Sequence, residues 1–170
     1  MTAFDEDIVW ADPAIRRDYE AALGQFILAF NEVDYFVSRV IAAELNEREG
    51  ADLAASASKG PFAQRLETLQ ILTSVPSRNG QLANLPLERL RSINSDRNHL
   101  AHGHFDQNPF DGSYTLALAA KTRDDYPIPR ILALAKELTQ IAELLRQTFG
   151  PSPLTATMHV AEKSNWIKPH

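Results

Sequence analysis

DPAIRRDYEAALGQFILAFNEVDYFVSRVIAAELNERE, residues 12–49, decides the fold class. Asp12 is a natural N-cap, Pro13 suits the first helical position, and Gly50 supplies a stop. Between them Tyr19, Ala22, Leu23, Phe26, Ile27, Phe30, Val33, Val37, Val40 and Ile41 recur at steps of three and four residues, forming one broad apolar face of a long helix. A face that wide has to be buried against other helices. Gly24 interrupts it at a cost of about 1 kcal/mol relative to alanine, for which close approach of another helix is the usual reason.

Alanine- and serine-rich residues 51–58 read as a short helix or loop. Lys59-Gly60-Pro61 then opens a second helix carrying Phe62, Leu66, Leu69 and Leu72, and Pro76-Ser77-Arg78-Asn79-Gly80 ends it. A third helix starts near Asn84-Leu85-Pro86, sets Leu87, Leu90, Ile93, Leu100 and Ala101 on one side, and finishes with Gly103 as C-cap. The period then changes. His104–Gln107 and Ser113–Leu118 flank the turn-rich Asn108-Pro109-Phe110-Asp111-Gly112, which predicts a β-hairpin. Helical spacing returns from Pro127 to Phe149 through Ile131, Leu134, Ala135, Leu138, Ile141, Ala142 and Leu145, and Gly150-Pro151 closes it.

The expected architecture is an all-α, up-and-down helical bundle of about four main helices, with a short β-hairpin inserted after the third. One domain covers residues 1–150. Residues 151–170 form an irregular tail whose Trp166 and Ile167 dock on the domain or on a partner. No internal repeat or low-complexity tract is visible.

Composition bounds the function. The 170 residues suit a single domain, and an apolar fraction of 44% suffices for one core. No apolar run is long enough to cross a bilayer, and the acidic Met1–Asp7 is unlike the basic start of a signal peptide, so no membrane partner is expected and the cytoplasm is the default. Without cysteine there are no disulfides, thiol nucleophiles or thiolate metal sites, and the chemistry falls to His, Asp, Glu, Arg or hydroxyls. A net charge of −5 lacks the footprint of a general nucleic-acid binder. Arg16, Arg17, Arg89, Arg91 and Arg97 are either a local basic patch or scattered surface charges.

The chemistry-bearing stretch is Arg97-Asn98-His99-Leu100-Ala101-His102-Gly103. At ~100° per residue Arg97 falls near the middle of the apolar side of its helix. A guanidinium there needs an internal carboxylate, a partner across an interface or an anionic ligand in a cleft. Asn94 shares its sector, and Asn98 and His102, one turn apart, share its edge. Asp34, set inside the apolar sector of the first helix, is the expected carboxylate for Arg97, the alternative being an acid that reaches water.

His99, His102 and His104 do not make a metal set, because His104 follows the Gly103 break and no acid completes the spacing. His159 and His170 lie in the tail. Serine-nucleophile and phosphate-loop patterns are missing, and Asp106, Asp111, Asp124 and Asp125 sit in or beside turns, where aspartate serves as a local acceptor. No cofactor is implied.

Arg97-Asn98-His99-Leu100-Ala101-His102 resembles the Arg-x4-His signature of HEPN-domain proteins, with a polar residue after the arginine. The likeness extends over roughly residues 12–149. It implies a helical bundle, frequent homodimers and, in active members, metal-independent endoribonuclease chemistry in a cleft shared by two subunits. Carried onto this sequence, it makes His102 the proton-transfer group at the ribose 2′-hydroxyl or leaving 5′-oxygen and Arg97 the stabiliser of phosphate charge. Asn98 orients either His102 or the phosphate. RNA is the implied substrate, with an antitoxin or other protein as partner in a toxin or defence role. The competing expectation is a non-catalytic helical module for dimerisation or ligand binding.

Overall fold

The computed structural model describes residues 12–46, 51–74, 81–118, 121–123 and 126–149. Five α-helices, α1 (Pro13–Asn46), α2 (Ala51–Ala57), α3 (Phe62–Thr73), α4 (Leu87–His102) and α5 (Ile128–Phe149), form an all-α bundle. A small sheet of β1 (His104–Gln107), β2 (Tyr114–Leu118) and β3 (Lys121–Arg123) is inserted between α4 and α5. Gly50, residues 76–80, Asp124, Asp125, Gly150 and the tail from Pro151, including Trp166 and Ile167, lie outside the described residues.

The first helix starts as its sequence dictates. Asp12 Oδ1 accepts the Ala14 backbone N–H at 2.8 Å, and Pro13 occupies the position where a missing N–H costs nothing. Its inner face buries Tyr19, Ala22, Phe26, Phe30, Val33, Val37, Val40 and Ile41, with Leu23 and Ile27 partly buried beside them. The main partner of that face is α5, whose Ile131, Leu134, Ala135, Leu138, Ile141, Ala142 and Leu145 are all buried. Phe62, Leu66, Leu69 and Leu72 of α3 and Leu87, Leu90, Ile93 and Leu100 of α4 complete one continuous core.

The hairpin pairs antiparallel with Phe105 opposite Leu116 and Gln107 opposite Tyr114. Gly112 (φ 73°) supplies the left-handed residue of its turn, and Asn108 and Asp111 each accept a backbone N–H two residues on, from Phe110 and Ser113. The sheet is anchored by aromatic contact with α1: the Tyr114 ring stacks on Tyr19 at 4.1 Å and Phe105 meets Tyr19 edge-on at 5.4 Å. β3 adds a third strand antiparallel to β2, beyond the expected two.

Two local expectations are corrected. Ala101 is exposed rather than core-facing. Gly24 is exposed too, and a Cβ placed on it would meet nothing within 4 Å, so among the described residues no helix approaches it. Gly103 ends α4 as expected, its N–H donating to the His99 carbonyl at 2.9 Å, with an extended backbone (φ −76°). Glycine is needed there because a Cβ would overlap the Leu116 side chain and crowd the His99 carbonyl, so that the sheet could not close onto α4.

Candidate functional site

Three helices meet around a cleft of about 330 Å³. α1 contributes Phe30, Asn31 and Asp34, the first turn of α3 contributes Pro61, Phe62, Ala63 and Arg65, and α4 contributes Asn94, Arg97 and Asn98. Four of the expected site residues, Asp34, Asn94, Arg97 and Asn98, are therefore brought together from elements far apart in sequence. Phe30 and Phe62, with ring centroids 4.9 Å apart, are the aromatic residues of its lining.

The expected Asp34–Arg97 pair does not form. Asp34 Oδ1 instead accepts from Nη2 of Arg65, while Nη1 of Arg65 donates to the Asp34 carbonyl at 3.1 Å and to the Ser38 hydroxyl. Arg65 is only 7% exposed, and its planar fork can meet a backbone carbonyl, a hydroxyl and a carboxylate together. Its Nε is buried without a hydrogen-bond partner among the described residues. Sequence reasoning passed over Arg65, although an arginine one residue before the apolar Leu66 in an amphipathic helix was the available signal.

Arg97 is thereby left without a carboxylate partner among the described residues. Its guanidinium carbon lies 5.6 Å from the centroid of the Phe30 ring, and Nη1 donates to Asn98 Oδ1 at 3.3 Å. It is half-buried, not core-embedded. With Asp34 committed to Arg65, Arg97 is the uncompensated cation of the cleft, flanked by the amides of Asn31, Asn94 and Asn98. That set of donors around one cation suits an oxyanion.

His102 stands apart. It is the exposed last residue of α4 and does not line the cleft. Five residues along a helix turn a side chain by about 140° net, so Arg97 and His102 of one chain diverge.

His99, by contrast, is held. Its Nδ1 lies 3.0 Å from the Tyr126 hydroxyl, which donates to Asp96 Oδ1 at 2.7 Å. Because a phenol has one proton and Asp96 takes it, Nδ1 of His99 must carry the other. Arg130 also donates to Asp96 Oδ1, at 3.2 Å, and covers the Tyr126 ring at 4.5 Å. This network ties α4 to the start of α5, and Tyr19 adds a hydrogen bond to the Tyr126 carbonyl at 3.3 Å. Burial, then the nearby Tyr114, pushes the Tyr19 phenol up to about 12.

Three of the other arginines are neutralised by ion pairs. Arg16, Arg89 and Arg91 are each paired with a glutamate, Glu20, Glu137 and Glu88 respectively. The Arg89–Glu137 bridge is bidentate, with both bonds at 2.6 Å, and it holds the Glu137 carboxyl below the usual range. Among the described residues no group of three His, Asp or Glu side chains is placed to hold a metal. Asp111 serves its turn, its carboxyl held low by Ser113.

Fold and site together define a helical bundle with one cationic, amide-lined cleft at the junction of α1, α3 and α4. Comparison with protein-family models, with curated proteins and with solved structures finds no match to the chain. Among the described residues no helix is long and apolar enough to cross a membrane.

Proposed function

We propose that the protein is a HEPN-like, metal-independent endoribonuclease of toxin or defence type, acting in the cytoplasm as a homodimer. The observation that carries the reading is Arg97: a cation without a carboxylate partner, set in a cleft with three asparagine amides and seated on an aromatic ring. A phosphodiester fits that cleft chemically, and the guanidinium stabilises charge developing on its oxygens. His102 moves the proton of the attacking 2′-hydroxyl or of the leaving 5′-oxygen, so the chain is cut with a 2′,3′-cyclic phosphate on one side and a free 5′-hydroxyl on the other. Because His102 lies outside the cleft of its own chain, the proton-transfer group over a given phosphate comes from a second copy. An antitoxin or other protein partner would act by covering the same face.

Purified chain incubated with structured and unstructured RNA in the presence of chelator tests the reading. Cleavage that disappears in both Arg97→Ala and His102→Ala supports it, and no cleavage of any substrate sinks it. The position of His102 also favours a second reading, a non-catalytic module that binds an anionic ligand through Arg97. Ligand binding that survives His102→Ala in a chain without nuclease activity selects that alternative.

A further inference from the structure

The outer face of α1 carries a second periodic pattern that the fold does not use. Ala14, Arg17, Ala21, Gly24, Leu28 and Tyr35 lie on one side of the helix at steps of three and four or their sum, opposite the buried stripe. Leu28 is 71% exposed and Tyr35 55% exposed. Gly24 sits between the small and the large half of this face with nothing within 4 Å of a Cβ placed on it, so among the described residues nothing accounts for the conformational cost of a mid-helix glycine. Tyr35 is already held in place, its hydroxyl accepting from Arg39 at 2.9 Å and its ring lying 5.7 Å from the Arg39 guanidinium.

We propose that this face is the contact with a second copy of the chain, packed antiparallel with the two helices crossing at Gly24. A two-fold axis midway between Gly24 and Gln25 pairs positions equidistant from that point. At roughly 5 Å along the helix, Ala21 meets Leu28 of the partner subunit. At roughly 16 Å, Ala14 meets Tyr35 of the partner subunit. At roughly 11 Å, Arg17 meets Glu32 of the partner subunit, both groups being exposed and without an ion pair among the described residues. Small thus faces large, cation faces anion, and the glycine lies where the backbones come closest. A parallel pairing would oppose Leu28 to Leu28, Tyr35 to Tyr35 and Arg17 to Arg17, losing all three matches. This self-complementarity identifies the occupant as another copy.

The interface is read from α1 alone, while its consequence for the cleft rests on the nuclease reading. Arg97 sits over Phe30 of α1, so the cleft opens beside the same helix that carries the proposed contact face. Asn31, which lines the cleft, belongs to the same outer face and links the two surfaces.

Sedimentation of the full chain tests the proposal without RNA. The wild type is expected to be a dimer. Gly24→Leu and Leu28→Arg should each weaken association about tenfold or more while leaving the helical circular dichroism intact, since both positions are exposed. Arg17→Glu should weaken it as well, and the double variant Arg17→Glu/Glu32→Arg should restore it. A monomeric wild type, or a dimer indifferent to Gly24→Leu and Leu28→Arg, overturns the interface. A dimer that responds to these changes but cleaves no RNA supports the interface and counts against the nuclease reading alone.

Discussion

Arg65 and Arg97 share one cleft and live under opposite conditions. Arg65 is buried, chelated by Asp34 and Ser38, and serves to lock α3 onto α1. Arg97 is half-buried, rests on Phe30 and spends one hydrogen bond on its neighbour Asn98. The same contrast separates two sectors of α4: Asp96 and His99 are closed into a network with Tyr126 and Arg130, whereas Asn98 and His102 face outward. A satisfied polar group in a low-dielectric corner holds the fold, and a charged group without a counter-charge is the one with capacity for a ligand.

The largest effect that would break this contrast is expected at Asp34. Asp34→Ala leaves the Arg65 guanidinium buried without its carboxylate and should cost about 2–4 kcal/mol, the one-third exposure of Asp34 keeping the loss below that of a fully enclosed pair. For a chain of this size the melting temperature should fall by roughly 4–16 °C. Melting like the wild type would mean that Arg65 finds water or another acceptor and that the two arginines are not so different.

A smaller loss, about 1–3 kcal/mol, is expected in denaturant unfolding of Asp96→Ala, because the buried Tyr126 hydroxyl loses its acceptor. Nitrogen chemical shifts in the wild type should meanwhile report His99 protonated on Nδ1, and a neutral ring protonated on Nε2 would contradict the hydrogen-bond order. Arg97→Ala should change stability by no more than about 1 kcal/mol, the scale of a partly exposed cation–π contact, yet abolish calorimetric binding of a short RNA or phosphate ligand. An unfolded Arg97→Ala chain would place Arg97 with Arg65 as a structural arginine.

A further effect appears only at alkaline pH. Since the folded state raises the Tyr19 phenol from its usual 10 to about 12, its contribution to stability is whole below pH 10 and is lost as pH rises from there through about 12. Tyr19→Phe should flatten the alkaline arm of the stability profile, and an unchanged arm would assign that loss to other groups.

Much of the bundle could be read from residue spacing. Each α5 position expected inside, from Ile131 to Leu145, is buried, and the α1 stripe is inside apart from the half-buried Leu23 and Ile27. Asp12 caps α1 as expected, and the hairpin pairs across Asn108–Gly112. These features depend on neighbours within a turn or two. The misreadings share another cause. Ala101 has the right angular position on α4, but the end of that helix is not covered on that side. β3 has only three residues, from which no alternation can be read. Asp34 stands out in the sequence as an anomaly of the α1 stripe, but nothing local to it points to Arg65 rather than Arg97 as its partner.

Sequence by itself determined the helices, their caps, the hairpin and the positions where polar groups intrude on apolar faces, because periodicity and capping are properties of the local chain. Only the tertiary structure decided which arginine receives Asp34. Both guanidiniums approach it from other helices, and the packing of α3 on α1 brings Arg65 onto the carboxylate and leaves Arg97 over Phe30. One carboxylate shared out by packing is what separates a structural arginine from a candidate ligand-binding one.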